Sequence, residues 1–139
     1  MPAGYSATPL ARKLGIREGD VVATVNAPPD LPALLDEIPD GVELRSDVAA
    51  AADVVLLFAT ERATLESKLS VVADAIFPDG AIWVAWPKRA SKVETDITED
   101  VVREIALPAR LVDNKVCAIS DVWSGLRVVW RRNHRVPAS

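Results

Sequence analysis

Few side chains in this sequence are equipped for covalent chemistry, and their spacing limits what they can do. His134 is the single histidine. It sits in a polar run, 131–135, with no Asp or Ser arrangement beside it, so it does not read as a general base. Cys117 is the single cysteine; inside a strand-like run it reads as a small core hydrophobe rather than a nucleophile. Ser124 precedes Gly125 but lacks the flanking pattern of a nucleophile elbow. No His, Cys and carboxylate set has metal-ligand spacing, so no metal is expected. Catalytic residues stay unassigned, and an enzyme is the less favoured reading.

Binding chemistry is better represented. Lys88, Arg89 and Lys92 follow the apolar run 81–86 and precede a helix start near Ile97. They could grip an anionic group, with Trp86 as an apolar wall and the helix N-terminus adding positive potential. The alternative is a solvated basic loop beside an acidic helix start (Asp96, Glu99, Asp100). Trp123, in the turn 121–125, either projects over the same site or caps the core from a hairpin. Tyr5 belongs either to an N-terminal flap or to a tail packed on the sheet.

The scaffold follows from the order of elements. At 139 residues the chain fits one domain, with an arm over about 1–7 and a polar tail over about 132–139. Thr8-Pro9-Leu10 opens a short helix that Gly15 stops, with Thr8 as cap and Pro9 as its first residue. Val21–Val25 is the first strand. Asp30 caps a helix with Leu31, Leu34, Leu35 and Ile38 on one side. The run 42–45 is a short strand, and 53–58 is continuously apolar, as in a parallel strand buried on both faces. Thr60 caps a helix with Leu65, Leu69, Val72 and Ile76 aligned. After Pro78-Asp79-Gly80, the run 81–86 is another buried strand. Asp96 and Glu99 form a capping box for a helix with Ile97, Val101 and Ile105 on its core side. The runs 111–119 and 126–131 are joined too tightly for a parallel crossover, so they form an antiparallel hairpin. The expectation is an α/β, Rossmann-like three-layer sandwich, with a mostly parallel sheet of about six strands ending in that hairpin.

Ligands of such sheets bind beyond the carboxyl ends of the strands, here Asn26, Ser46, Thr60 and Trp86. The candidate binding set is therefore Asn26, Thr60, Trp86, Lys88, Arg89, Lys92 and Trp123. The net charge of −4 disfavours nucleic acid as a partner. No run reaches the ~20 apolar residues that would cross a bilayer. Without a signal-like N-terminus and with one cysteine, the expected location is the cytoplasm.

The succession from Asp53-Val-Val-Leu-Leu through Phe77-Pro-Asp-Gly80 and Ala-Ile-Trp-Val to the final hairpin resembles a shortened methyltransferase-type Rossmann domain. More narrowly, five segments resemble a small bacterial family of unknown function. They are Gly4-Tyr-Ser-Ala-Thr-Pro-Leu10, Trp86-Pro-Lys-Arg-Ala-Ser91, Thr95-Asp-Ile-Thr-Glu-Asp100, Val112-Asp-Asn-Lys-Val-Cys117 and Trp123-Ser-Gly-Leu-Arg127. The first resemblance implies an S-adenosylmethionine site at a glycine-rich turn after the first strand, with Glu43 or Asp47 as a ribose partner. The turn here is Asn26-Ala27-Pro28-Pro29, with Pro32 just beyond. Three prolines remove three N–H donors, so no cofactor is expected. The favoured reading is a non-catalytic domain that binds a small anionic ligand or a protein partner. The alternative is an S-adenosylmethionine-dependent or other small-group transferase with an unusual cofactor site.

Overall fold

A computed structural model describes residues 9–35, 37–48 and 51–131; Tyr5, Thr8 and His134 lie outside them. Six strands form one sheet: β1 (Val21–Val25), β2 (Glu43–Arg45), β3 (Val54–Phe58), β4 (Ala81–Pro87), β5 (Leu111–Ala118) and β6 (Trp123–Trp130). Their order is β2-β1-β3-β4-β6-β5. The first four are parallel, while β6 runs antiparallel to both β4 and β5. The mostly parallel sheet with a terminal hairpin is thus the one the sequence predicts.

Every residue of β3 and β4 is buried, because both faces of the central sheet are covered. Alternate side chains sort into two apolar clusters. On one face Val55, Leu57, Ile82 and Val84 pack with Leu65, Leu69, Val72 and Ile76 of α3 (Arg62–Ile76) and with Val102 and Ala106 of α4 (Glu99–Ala106). On the other, Leu56, Phe58, Trp83 and Ala85 meet Ala11 and Leu14 at α1 (Leu10–Lys13) and Leu31 and Leu35 at α2 (Leu31–Leu34). Gly15, at φ +78°, ends the α1 segment in the left-handed conformation that glycine tolerates.

Three helix starts differ from the sequence reading, and a fourth keeps its cap residue without the capping bond. Pro9 is the N-cap of α1, not its first residue. Asp30 occupies the N-cap of α2, but its side chain makes no capping bond. The residue ahead of α3 is Glu61, also without a side-chain cap; Thr60 instead offers its carbonyl to the Thr95 hydroxyl at 2.6 Å. The Asp96–Glu99 capping box is replaced by Thr98, whose Oγ1 accepts from the Val101 N–H at 3.2 Å. Because α4 starts later than Ile97, Val102 and Ala106 take its deepest positions, and Val101 and Ile105 are only partly buried.

Asp96 is free of the box because its carboxylate serves another helix. Its Oδ1 accepts from the backbone N–H of Arg62 at 2.6 Å, across 34 residues of chain, and so satisfies a donor that α3 leaves open at its start. Asp96→Ala is expected to cost about 1 kcal/mol, the usual value of a lost cap. Urea denaturation of the two proteins measures it. An unchanged midpoint would mean that water replaces the carboxylate at no cost.

Candidate functional site

The sheet reverses its winding between β1 and β3. The chain leaves β1 to form β2 on one side, then returns to place β3 on the other. In open α/β sheets this switch point is where a crevice forms and ligands enter.

In this chain the crevice is narrowed by its own first turn. Asn26 follows β1 directly and adopts φ 57°, a left-handed conformation that asparagine tolerates better than most residues. Its Nδ2 donates across the switch point to the carbonyl of Phe58, a long contact of 3.4 Å. Beyond it, the Leu31 N–H donates to the Pro28 carbonyl and the Leu34 N–H to the Asp30 carbonyl. Pro28, Pro29 and Pro32 have no N–H to give. The helix that follows, α2, is a single turn.

What remains is a cleft of about 210 Å³ lined by Asn26, Phe58, Ala59, Thr60, Thr64 and Trp123. Trp123 stands edge-on to Phe58, with ring centroids 5.0 Å apart and planes at 87°, a favourable aromatic geometry. The lining is an indole, two hydroxyl-bearing side chains and an amide, with no ionised group. Such a cleft can hold a small planar or polar fragment through neutral contacts. It falls below the ~300 Å³ at which pockets for cofactors and drug-sized ligands usually begin.

Asn26, Thr60 and Trp123 are therefore brought together, while the rest of the sequence-derived set lies elsewhere. Trp86 is 7% exposed and packs in the core with α3 and α4. As the strand alternates, Trp83 and Trp86 face opposite sides, so Trp86 forms no wall to this cleft. The loop after β4 stays beside it: Pro87 pairs with Trp123 and the Lys88 N–H donates to the Val122 carbonyl at 2.7 Å. Arg89 and Lys92 are exposed around the short 3₁₀ turn Arg89–Ser91. None of the three basic side chains lines the cleft. The positive end of α4 is compensated too, since its first-turn residues Glu99 and Asp100 both pair with Arg103. Phe58 and Thr64 escaped the sequence reading; Phe58 merely ends an apolar run, and no motif marks either one.

A cavity of about 570 Å³ lies at the opposite, amino ends of β3 and β4 and includes Asp20, Asp53 and Asp79. Two of these carboxylates have structural partners. Asp20 accepts from the Arg17 N–H and Asp53 from the Val21 N–H, each at 2.8 Å. Cys117 is half-buried, and burial pushes its thiol up, against the lowering influence of Lys13, Lys115 and Lys88; it stays a poor nucleophile near neutrality. Among the described residues, no three His, Cys, Asp or Glu side chains are grouped to hold a metal, and no helix is long and apolar enough to cross a membrane.

Methyltransferases are among the solved structures that share this fold. An O-methyltransferase of neocarzinostatin biosynthesis, in complex with S-adenosylmethionine and a naphthoic acid, matches with a TM-score of 0.60 and 13% identity, over 81% of this chain and 49% of that one. A methyltransferase dependent on S-adenosylmethionine from Aquifex aeolicus matches with a TM-score of 0.56 and 17% identity, over 86% of both chains. Magnesium protoporphyrin IX methyltransferase from Synechocystis PCC 6803 gives 0.57 and 9%, over 88% and 74%. The chain thus spans about half the length of the first of these, and identities this low show the fold alone. The fold is Rossmann-like and methyltransferase-like. Residues 11–132 match the family model described as a protein of unknown function, DUF3052, and the chain belongs to that family. No curated protein matches it.

Proposed function

We propose that this protein is a non-catalytic binding domain, built on a methyltransferase-type scaffold whose cofactor turn is closed. The observation that carries this reading is the Asn26 side chain reaching across the switch point to Phe58, where a glycine-rich turn would leave open backbone. The prolines at 28, 29 and 32 reinforce it by removing N–H donors from the same turn. The two separate apolar clusters support a three-layer sandwich, which holds that turn rigidly.

The ligand is a small anion-bearing molecule. Its uncharged part sits against Trp123, Thr60 and Asn26, and its charged part extends toward the loop of Lys88, Arg89 and Lys92. The hydrogen bond from Lys88 to Val122 supports this, because it ties the basic loop to the turn that carries Trp123. The competing reading is a transferase with an unusual cofactor pose.

Thermal-shift titration separates the two. S-adenosylmethionine and S-adenosylhomocysteine are expected to give no saturable shift with the native protein or with the Pro28→Gly/Pro29→Gly variant, in which Asn26 still spans the notch. A ligand at 100 times its Kd adds about 2.7 kcal/mol of stability, so real binding would be visible. Saturable adenosyl binding by the native chain would hand the assignment to the transferase reading. Small phosphorylated and carboxylated compounds form the positive arm, with Arg89→Ala/Lys92→Ala expected to weaken any hit about tenfold.

A further inference from the structure

The cleft at the switch point has a hydrogen-bonding character of its own, set by what its polar side chains already use. Asn26 gives one amide N–H to the Phe58 carbonyl. That acceptor decides which end of the amide faces β3, so Oδ1 and the second N–H remain for an occupant. Thr60 and Thr64 accept through their backbone carbonyls, from the Thr95 and Ser67 hydroxyls. Their own hydroxyls have no partner among the described residues. The same holds for the indole N–H of Trp123, whereas those of Trp83 and Trp130 donate to the Leu14 and Ala73 carbonyls.

The fixed donors of the cleft are thus the Asn26 and Trp123 N–H groups, and its fixed side-chain acceptor is Asn26 Oδ1. The two hydroxyls serve either way. The complement of this set is one N–H flanked by carbonyls, the edge of an imide. Water otherwise satisfies these groups, and an occupant that displaces it without returning the bonds loses affinity. A charged ring is excluded by the neutral lining, which would strip its water and offer no counter-charge. Trp123, held edge-on to Phe58, supplies a planar wall, and about 210 Å³ holds one ring rather than an adenosyl group. Pro87 stands opposite Trp123, where paired Cα atoms lie ~5 Å apart. Lys88, the first cation of the basic loop, comes one residue later, so a sugar-sized spacer joins the ring to the anion.

We propose that the occupant is a uracil-type ring carried on a pyrimidine nucleotide. Its N–H meets Asn26 Oδ1, its carbonyls take the Asn26 and Trp123 N–H groups, and its phosphate points to the loop of Lys88, Arg89 and Lys92. The inference rests on the reading of this cleft as a binding site and adds the class of ring to it.

Calorimetric titration of uridine 5′-monophosphate against ribose 5-phosphate tests it, because the two share the anion and differ in the ring. The uridine compound should bind about tenfold tighter, the effect of one or two hydrogen bonds. Its analogue methylated at the imide N–H, and guanosine 5′-monophosphate with two fused rings, should fall to within twofold of ribose 5-phosphate. Thr60→Val/Thr64→Val and Trp123→Phe keep volume and wall but lack the donors; each should shrink the uridine advantage and leave ribose 5-phosphate within twofold. Arg89→Ala/Lys92→Ala should weaken both phosphates alike. A uridine compound no tighter than ribose 5-phosphate, or matched by the methylated or the guanosine compound, would overturn the proposal. In that case ribose 5-phosphate binding that depends on Arg89 and Lys92 would leave the anion reading standing. Uridine without phosphate separates the opposite case: saturable amide shifts at Asn26, Thr60 and Trp123 would support the ring even if neither phosphate bound. If uridine too left those amides unmoved, both readings would fall.

Discussion

Trp83→Ala should be the most damaging single truncation in the sheet, lowering stability by about 3–5 kcal/mol. Trp83 is fully buried in the middle of β4, and it fastens the α1 segment by donating to the Leu14 carbonyl. Truncation removes the largest fully buried side chain and leaves a buried acceptor without a partner. Urea denaturation measures the loss, which is a large share of the 5–15 kcal/mol typical of a domain. Trp83→Phe separates the two contributions. It keeps most of the apolar volume and loses the bond, so it should cost about 1–3 kcal/mol. If phenylalanine proves as costly as alanine, the hydrogen bond outweighs the packing, contrary to this account.

The second large effect is expected at Gly80, from space rather than backbone conformation. A Cβ there would lie 2.9 Å from the Asp53 carbonyl, 2.9 Å from Ile76 Cβ and 3.0 Å from the Ala52 carbonyl. Two of these neighbours are backbone and the third is the root of a core side chain, so none can swing away. Gly80→Ala must therefore push the α3–β4 turn off the start of β3, at about 1–3 kcal/mol. Gly15→Ala provides the contrast. It has open space but a φ of +78°, and its cost of about 1–2 kcal/mol would come from the left-handed conformation alone. Equal melting temperatures for native protein and Gly80→Ala would show that the turn yields freely.

The sequence made the sheet legible because its central strands are unusually plain. Asp53-Val-Val-Leu-Leu-Phe58 has no polar interruption after Asp53, a pattern and length that suit a strand covered on both sides. The same plainness hid the orientation of Trp86. A strand buried on both faces has no alternation, so nothing in 81–86 says which tryptophan meets which layer. Thr98 does not stand out as the α4 cap in the sequence because Asp96 and Glu99 have capping-box spacing, and sequence alone does not reveal that Asp96 is taken by α3. The site was legible only in part for a similar reason. Asn26, Thr60 and Trp123 come from three separate strand ends, and each could be nominated by position. The bond from Asn26 to Phe58 depends on β1 and β3 being neighbours, a fact of topology rather than of local pattern.

The attachment of the loop after β4 to the start of α3 has a thermodynamic corollary. The Thr95 hydroxyl holds the Thr60 carbonyl and the Asp96 carboxylate holds the Arg62 N–H, so the far end of the loop and the first turn of the helix share two bonds. Any occupant that favours the attached loop must also raise hydrogen-exchange protection at Arg62. Linkage makes the relation reciprocal: a change that frays the helix start weakens the occupant's hold by the same factor with which the occupant steadies the helix.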